Sequence, residues 1–338
     1  MSFDSYGPLG RLAITIPSPF HDAAQCVELA RRAEDEWGYD AIWMAETAGP
    51  DSFALAGAMS QATSRIEIGT AIVPVYNRTP AVLAMSAGTL DQLSGGRFIL
   101  GLGSSSHAIM RDWNGADFRA PLGHVRESVA IIRSALSGEK TNFEGKHFRS
   151  KGLRLGSLPK QPMRIYLAAL REKMLNLAGE IGEGLIINFQ PLGAMPQIIE
   201  AYRAGATAAG RDATNDEVVC RFQVCVTDDK EKARAIVRMA FGGYLSAPVY
   251  NKFLAWCGYE DEAKAIAAGF AAKDRGAVAE AMHDELVDSI AILGSPDECR
   301  EQLAAFVAAG VTTPVLAPLA VNAESAEKVF ETFAPAST

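Results

Sequence analysis

The chain has 338 residues, 49% of them apolar and 21% charged, enough apolar material for a large buried core and too little charge for bulk disorder. Its net charge of −8 and pI near 5.3 argue against a generic nucleic-acid binder and against a basic membrane-surface protein. Nothing in that balance selects a substrate.

The N-terminal stretch MSFDSYGPLGRLAITIPSP has no basic segment followed by about 7–15 apolar residues, so no secretory leader is expected. Strand-like and helix-like segments then alternate. RLAITIP (11–17) predicts a first strand, and Cys26, Leu29, Ala30, Ala33 and Trp37 recur at helical spacing up to Gly38. YDAIWMAE (39–46) predicts a second strand, followed by DSFALAGAMSQA, a helix of small residues. RIEIGTAIV (65–73) begins as a third buried strand, but Gly69, Thr70 and Ala71 are small, and Pro74, Asn77, Arg78 and Pro80 follow. Pro80 suits the first position of the next helix.

RFILGLGS (97–104) predicts strand four, and Val125, Val129, Ile132 and Leu136 mark a helix stopped by Gly138. Residues 139–163 break the repeat and read as a short hairpin turning at Glu144-Gly145. RIYLAA (164–169), GLIINF (184–189), VVCRFQVCV (218–226) and VTTPVLAPL (311–319) predict strands five to eight. Residues 241–290 are Ala-rich and helical, longer than one crossover needs. Ser295, Pro296 and Glu298 form a helix-opening capping box.

Eight strands, each followed by a helix, predict an α/β fold of the (β/α)8 TIM-barrel type. One domain over 1–338 is expected, with insertions at about 105–122, 139–163 and 241–290. No apolar run approaches the roughly 18 residues of a membrane span, so no membrane partner is expected. The five scattered cysteines fit buried small hydrophobes in a reducing cytoplasm. The histidines lack metal-binding spacing, and no metal is expected.

Barrel enzymes place their chemistry at the C-terminal strand ends. Here those ends are Ala45-Glu46-Thr47, Thr70-Ala71-Ile72, Gly103-Ser104-Ser105, Ala168-Ala169-Leu170 and Ile187-Asn188-Phe189, four of them with small residues. Small residues at the rim leave room for something flat. Gly101, Gly103 and the serines beyond could let a phosphate approach backbone N–H groups, and Arg171 opens a helix on the adjacent strand.

Five segments in order resemble the luciferase-like flavin and deazaflavin oxidoreductases, in particular the branch that uses coenzyme F420. They are WGYDAIWMAE, RIEIGTAIVPVYNRTP, LDQLSGGRFILGLGSS, IYLAALREKMLNLAGEIGEGLI and AILGSPDECREQLAAFVAAGV. The resemblance implies a third strand ending in a bulge with a non-proline cis peptide, here Ala71–Ile72, against the coenzyme's central ring. It implies that Gly103, Ser104 and Ser105 cradle the coenzyme phosphate, with Ala169, Leu170 and Arg171 as a second wall.

Two departures stand out. Relatives carry Gly-Pro where this chain has Arg171-Glu172, and an acidic residue followed by His where it has Glu46-Thr47. A hydroxyl cannot replace imidazole as a base near neutral pH. Glu46 could supply a proton if buried, or could be a carboxylate paired with Arg78.

The resulting expectation is a coenzyme F420-dependent oxidoreductase passing a hydride between the deazaflavin C5 and a small organic substrate. Trp43, Glu46, Thr47 and Asn188 are the expected ring or substrate contacts. An FMN-dependent monooxygenase and a non-catalytic flavin-binding relative are the alternatives. The resemblance further implies a homodimer through the two small-residue helices.

Overall fold

The computed structural model describes residues 6–17 and 19–335; the ends of the expected 1–338 unit and Ser18 lie outside them. The chain runs β1 (Ala13–Thr15), α1 (Ala23–Asp35), β2 (Ala41–Met44), α2 (Ser52–Ala62), β3 (Glu67–Thr70), β4 (Val73–Pro74), α3 (Pro80–Ser94) and β5 (Phe98–Gly103). A π-helical turn at Ala108–Trp113 precedes α4 (Pro121–Leu136), β6 (Thr141–Glu144), β7 (Arg149–Leu153) and β8 (Ile165–Ala168). Next come α5 (Glu172–Ile181), β9 (Gly184–Asn188), α6 (Met195–Ala208) and β10 (Glu217–Val226). Five helices follow: α7 (Lys230–Ser246), α8 (Pro248–Trp256), α9 (Glu260–Ala271), α10 (Arg275–Ala281) and α11 (Asp284–Ile290). The chain closes with β11 (Ala291–Gly294), α12 (Pro296–Ala308), β12 (Thr313–Pro318) and α13 (Ala323–Thr332).

The strands pair in parallel in the order β12, β1, β2, β3, β5, β8, β9, β10, and β10 returns to β12. This is a closed (β/α)8 TIM barrel, and its eight strands are the eight predicted from the sequence. Apolar residues on both faces of a strand suit this position, between an outer ring of helices and a filled interior.

The interior is layered. At the N-terminal end lies an ionic plug: Arg11 donates to Glu217 at 2.9 Å and to Glu67, and Arg164 donates to Glu67 at 2.7 Å. The Tyr166 hydroxyl donates to Glu217 at 2.7 Å. Above it, Ala13, Ala41, Trp43, Ile99, Val219 and Val315 fill the middle. The Trp43 ring stacks on Tyr166 with centroids 5.7 Å apart, in space left by Gly69, where a Cβ would overlap the indole.

Three details differ from the sequence reading. The third strand stops at Thr70 and resumes as β4, rather than running through to 73. The hairpin turns later, with Gly145 N donating to Phe148 O at 2.9 Å. An additional strand, β11, pairs with the end of β10 at Gln223–Val226, although AILG had no strand assigned to it. Four residues between a helix and a capping box are too few to show a period. The capping box itself is present, Ser295 Oγ accepting from Glu298 N and Glu298 Oε2 from Ser295 N.

Candidate active site

The break between β3 and β4 shapes the floor of the barrel mouth. β3 pairs with β5 only through Ile68 and Gly69, and pairing resumes at Val73 with Leu102 and Pro74 with Gly103. Across the gap, the Thr70 hydroxyl takes over both backbone partners, accepting from Gly101 N at 2.9 Å and donating to Gly101 O at 2.8 Å. Gly101 is required there, because a Cβ would overlap the Thr70 carbonyl oxygen. The peptide bond Ala71–Ile72 at the crest is cis, as the resemblance implied. Ala71 N donates to Met44 O, and Glu46 N donates to Ile72 O at 3.2 Å, so the crest is tied to the end of β2.

Gly103 completes this floor. A Cβ on it would come within 3.0 Å of Ile72 and 3.1 Å of Ala168. Ala45, Ala71, Gly103 and Ala168, on four neighbouring strands, thus make a shallow apolar shelf.

Beyond the shelf, Ser104 and Ser105 are half-buried, and Ser105 takes a left-handed backbone conformation with φ 62°. β5 pairs with β8 up to Leu102 and Leu167, so these serines leave the barrel on the strand next to the one that leads into Ala169, Leu170 and Arg171. Ala169 is buried, Leu170 half-buried and Arg171 exposed. Arg171 stands at the N-cap of α5 in extended conformation, and its side chain makes no capping bond.

The other candidates divide. Glu46 is bound by its neighbours: Arg78 Nη1 donates to its Oε1 at 2.5 Å and Asn77 Nδ2 at 2.9 Å, while Arg78 also reaches Asp51 at the start of α2. The ion pair considered in the sequence reading is therefore formed. Thr47 is exposed beside it. Trp43 lies below the shelf, 1% exposed, its indole N–H buried without a partner. Asn188 is half-buried beside the Tyr250 hydroxyl, with its Oδ1 unpaired.

A small open cavity lies in the mouth. Thr15, Trp43, Ala71, Asn188, Val219 and Arg221 are among its lining residues. Thr15 Oγ1, Arg221 Nε and, one step further along β10, Gln223 Nε2 are buried and lack partners. Burial lowers the pKa of the Arg221 guanidinium. Burial also raises that of the Tyr250 hydroxyl. None of these polar groups except Asn188 was singled out from the sequence. The signal was there: VVCRFQVCV carries Arg221 and Gln223 on the same face as Val219, in a strand buried on both sides.

The mouth thus has two halves, a small-residue shelf on β2 to β8 and a polar arc on β9, β10 and β1. The luciferase-like monooxygenase sequence profile matches residues 8–313. The chain belongs to that family. As a member it is an oxidoreductase.

Among its relatives, a 5,10-methylenetetrahydromethanopterin reductase of Methanolobus tindarius is 31% identical over 319 residues, covering 92% of this chain and 95% of the relative. Solved structures of similar shape include the coenzyme F420-dependent tetrahydromethanopterin reductase from Methanopyrus kandleri. It has a TM-score of 0.81 at 23% identity, with 96% of this chain and 97% of that one covered. An F420-dependent secondary alcohol dehydrogenase in complex with an F420-acetone adduct has a TM-score of 0.78 at 20% identity, covering 97% and 99%.

Proposed function

We propose that the chain binds coenzyme F420 across the barrel mouth and exchanges a hydride between it and a small organic substrate. The observation that carries this reading is the shelf: four strand ends reduced to Ala or Gly around the Ala71–Ile72 crest, leaving room over it for a flat ring. Relatives named for coenzyme F420 or for a reductase activity support it.

The residues present fit the coenzyme. Gly103, Ser104 and Ser105 would hold its phosphate through backbone N–H groups and hydroxyls, with Arg171 supplying positive charge from the adjoining strand end. Ala71 and Ile72 would back the ring, and the unpaired Asn188 Oδ1 and Trp43 N–H are available to its polar edge or to substrate. When bound, the deazaflavin gives or accepts a hydride at C5.

The protein's part is positioning. Glu46, held by Arg78 and Asn77, fixes the loop after β2 against Ile72, and thereby the height of the crest. Thr47 is the polar group nearest in sequence to that loop's exposed tip and is assigned to substrate contact. α2 and α3 are assigned to a homodimer contact, since Val82, Met85 and Leu93 of α3 stay 42–55% exposed.

The test is turnover. Reduced coenzyme F420, kept anaerobic with the protein, is offered a panel of ketones, aldehydes and imines while the oxidised deazaflavin absorbance is followed. Substrate-dependent return of that absorbance is expected. Oxygen uptake with reduced FMN, and no turnover of the deazaflavin, would replace this reading with a monooxygenase.

A further inference from the structure

Among the described residues, Arg221 is the one arginine that is not exposed and yet has neither a carboxylate nor a hydrogen-bond acceptor. Every other arginine is ion-paired, hydrogen-bonded or out in solvent. The Arg221 Nε is buried without a partner while the residue as a whole is half-buried at the cavity wall, and a cation held there without a counter-ion makes sense when that counter-ion arrives with a ligand. The surroundings narrow that ligand. Arg221 faces Asn188 across the β9–β10 pairing and lies near the hydroxyls of Tyr244 and Tyr250. Those tyrosines belong to an aromatic cluster with Phe189 and Phe241, centroids 5.0–5.7 Å apart.

The position is also telling. Ser104, Ser105 and Arg171 sit beyond β5 and β8, whereas Arg221 projects from β10, on the far side of the shelf and beneath the helices of the 230–290 segment. A phosphate held by the serines is therefore not the partner of this guanidinium. One cation, with a tyrosine and an amide beside it, balances a single negative charge better than a dianion.

We propose that Arg221 anchors the carboxylate of the substrate, a small organic acid whose apolar body packs on the Phe189, Tyr244 and Tyr250 rings. This rests on the coenzyme reading for its place in the reaction, but the anion site itself does not. The guanidinium forks onto the carboxylate, the Tyr250 hydroxyl donates to it, and the remaining carbons are directed across the shelf.

The test uses the full-length protein, loaded with coenzyme F420 and unloaded, with butyrate and its neutral analogue butyramide as probes. Wild type should bind butyrate at least roughly ten-fold more tightly than butyramide, Arg221→Gln should erase the preference, and Arg221→Lys should restore part of it. Both variants should bind the coenzyme within about three-fold of wild type. Equal binding of the two probes, or a preference that survives in R221Q, overturns the proposal. So does a parallel loss of coenzyme affinity, which would assign the guanidinium to the coenzyme. If wild type binds no coenzyme, the coenzyme reading fails alone, and the same probes on the unloaded protein still decide the anion site. Removing a cation that has no partner should leave Tm unchanged or higher. A fall of more than about 5 °C in R221Q would make Arg221 a structural residue and overturn the assignment.

Discussion

The hydroxyl of Thr70 is bonded to both the N–H and the carbonyl of Gly101, at 2.9 and 2.8 Å, where a strand backbone would ordinarily lie. One side chain thereby lets β3 leave the barrel wall, form the crest at Ala71–Ile72 and rejoin as β4 without stranding a buried polar group. The small residues after Ile68 serve this detour.

Gly101→Ala tests the detour directly. Its Cβ would overlap the Thr70 carbonyl, so the bulge must move or the barrel must open, a loss of more than about 3 kcal/mol. A Tm within a few degrees of wild type would show that the crest is not held this way. Thr70→Val, which keeps the shape and removes both bonds, should cost roughly 1–3 kcal/mol.

The phosphate cradle predicts a different pattern. Replacing Ser104 and Ser105 together by Leu fills the space beside Gly103 and removes two hydroxyls, so coenzyme affinity should fall at least ten-fold, about 1.4 kcal/mol or more, with Tm little changed. Titration of the folded variant checks this. Unchanged affinity moves the phosphate elsewhere.

Glu46 is a positioning residue in this account. Glu46→Gln keeps a partner for Asn77 and leaves Arg78 paired with Asp51, so kcat/KM should fall less than about ten-fold, with its pH profile unaltered in shape. Disappearance of one limb of the profile would make Glu46 the proton donor after all.

Acid stability follows from the plug at the opposite end. Burial would raise the Glu67 pKa, but Arg11 and Arg164 hold it below the ordinary carboxylate value. Its contribution is therefore complete above the unfolded pKa near 4.3 and is lost as pH falls through the depressed folded value. Tm should drop steeply below about pH 4. Arg164→Met should lower Tm at neutral pH and flatten that slope. A slope identical to wild type would show that the Glu67 pair does not set it.

The barrel was legible because its strands are apolar on both faces and several of its helices open on local signals: the Ser295 box, Pro80 after Thr79 and Asp51 before α2. The shelf was legible for the same reason, as small residues at strand ends. The plug was not. Arg11, Glu67, Arg164 and Glu217 lie at strand starts up to 206 residues apart, and nothing local marks one as another's partner. The polar arc was not legible because β10 is apolar on both faces, so alternation alone does not show that Arg221 shares the barrel-facing side with Val219. Glu46 was only half legible, since its pairing with Arg78 depends on two loops meeting above the barrel.

Binding of coenzyme F420 and of FMN, titrated side by side against the fluorescence of each, is the most direct test of the central claim. Tight deazaflavin binding with weak FMN binding, reduced together by the Ser104/Ser105 double substitution, is the predicted result. FMN binding more tightly, or neither binding, would contradict it.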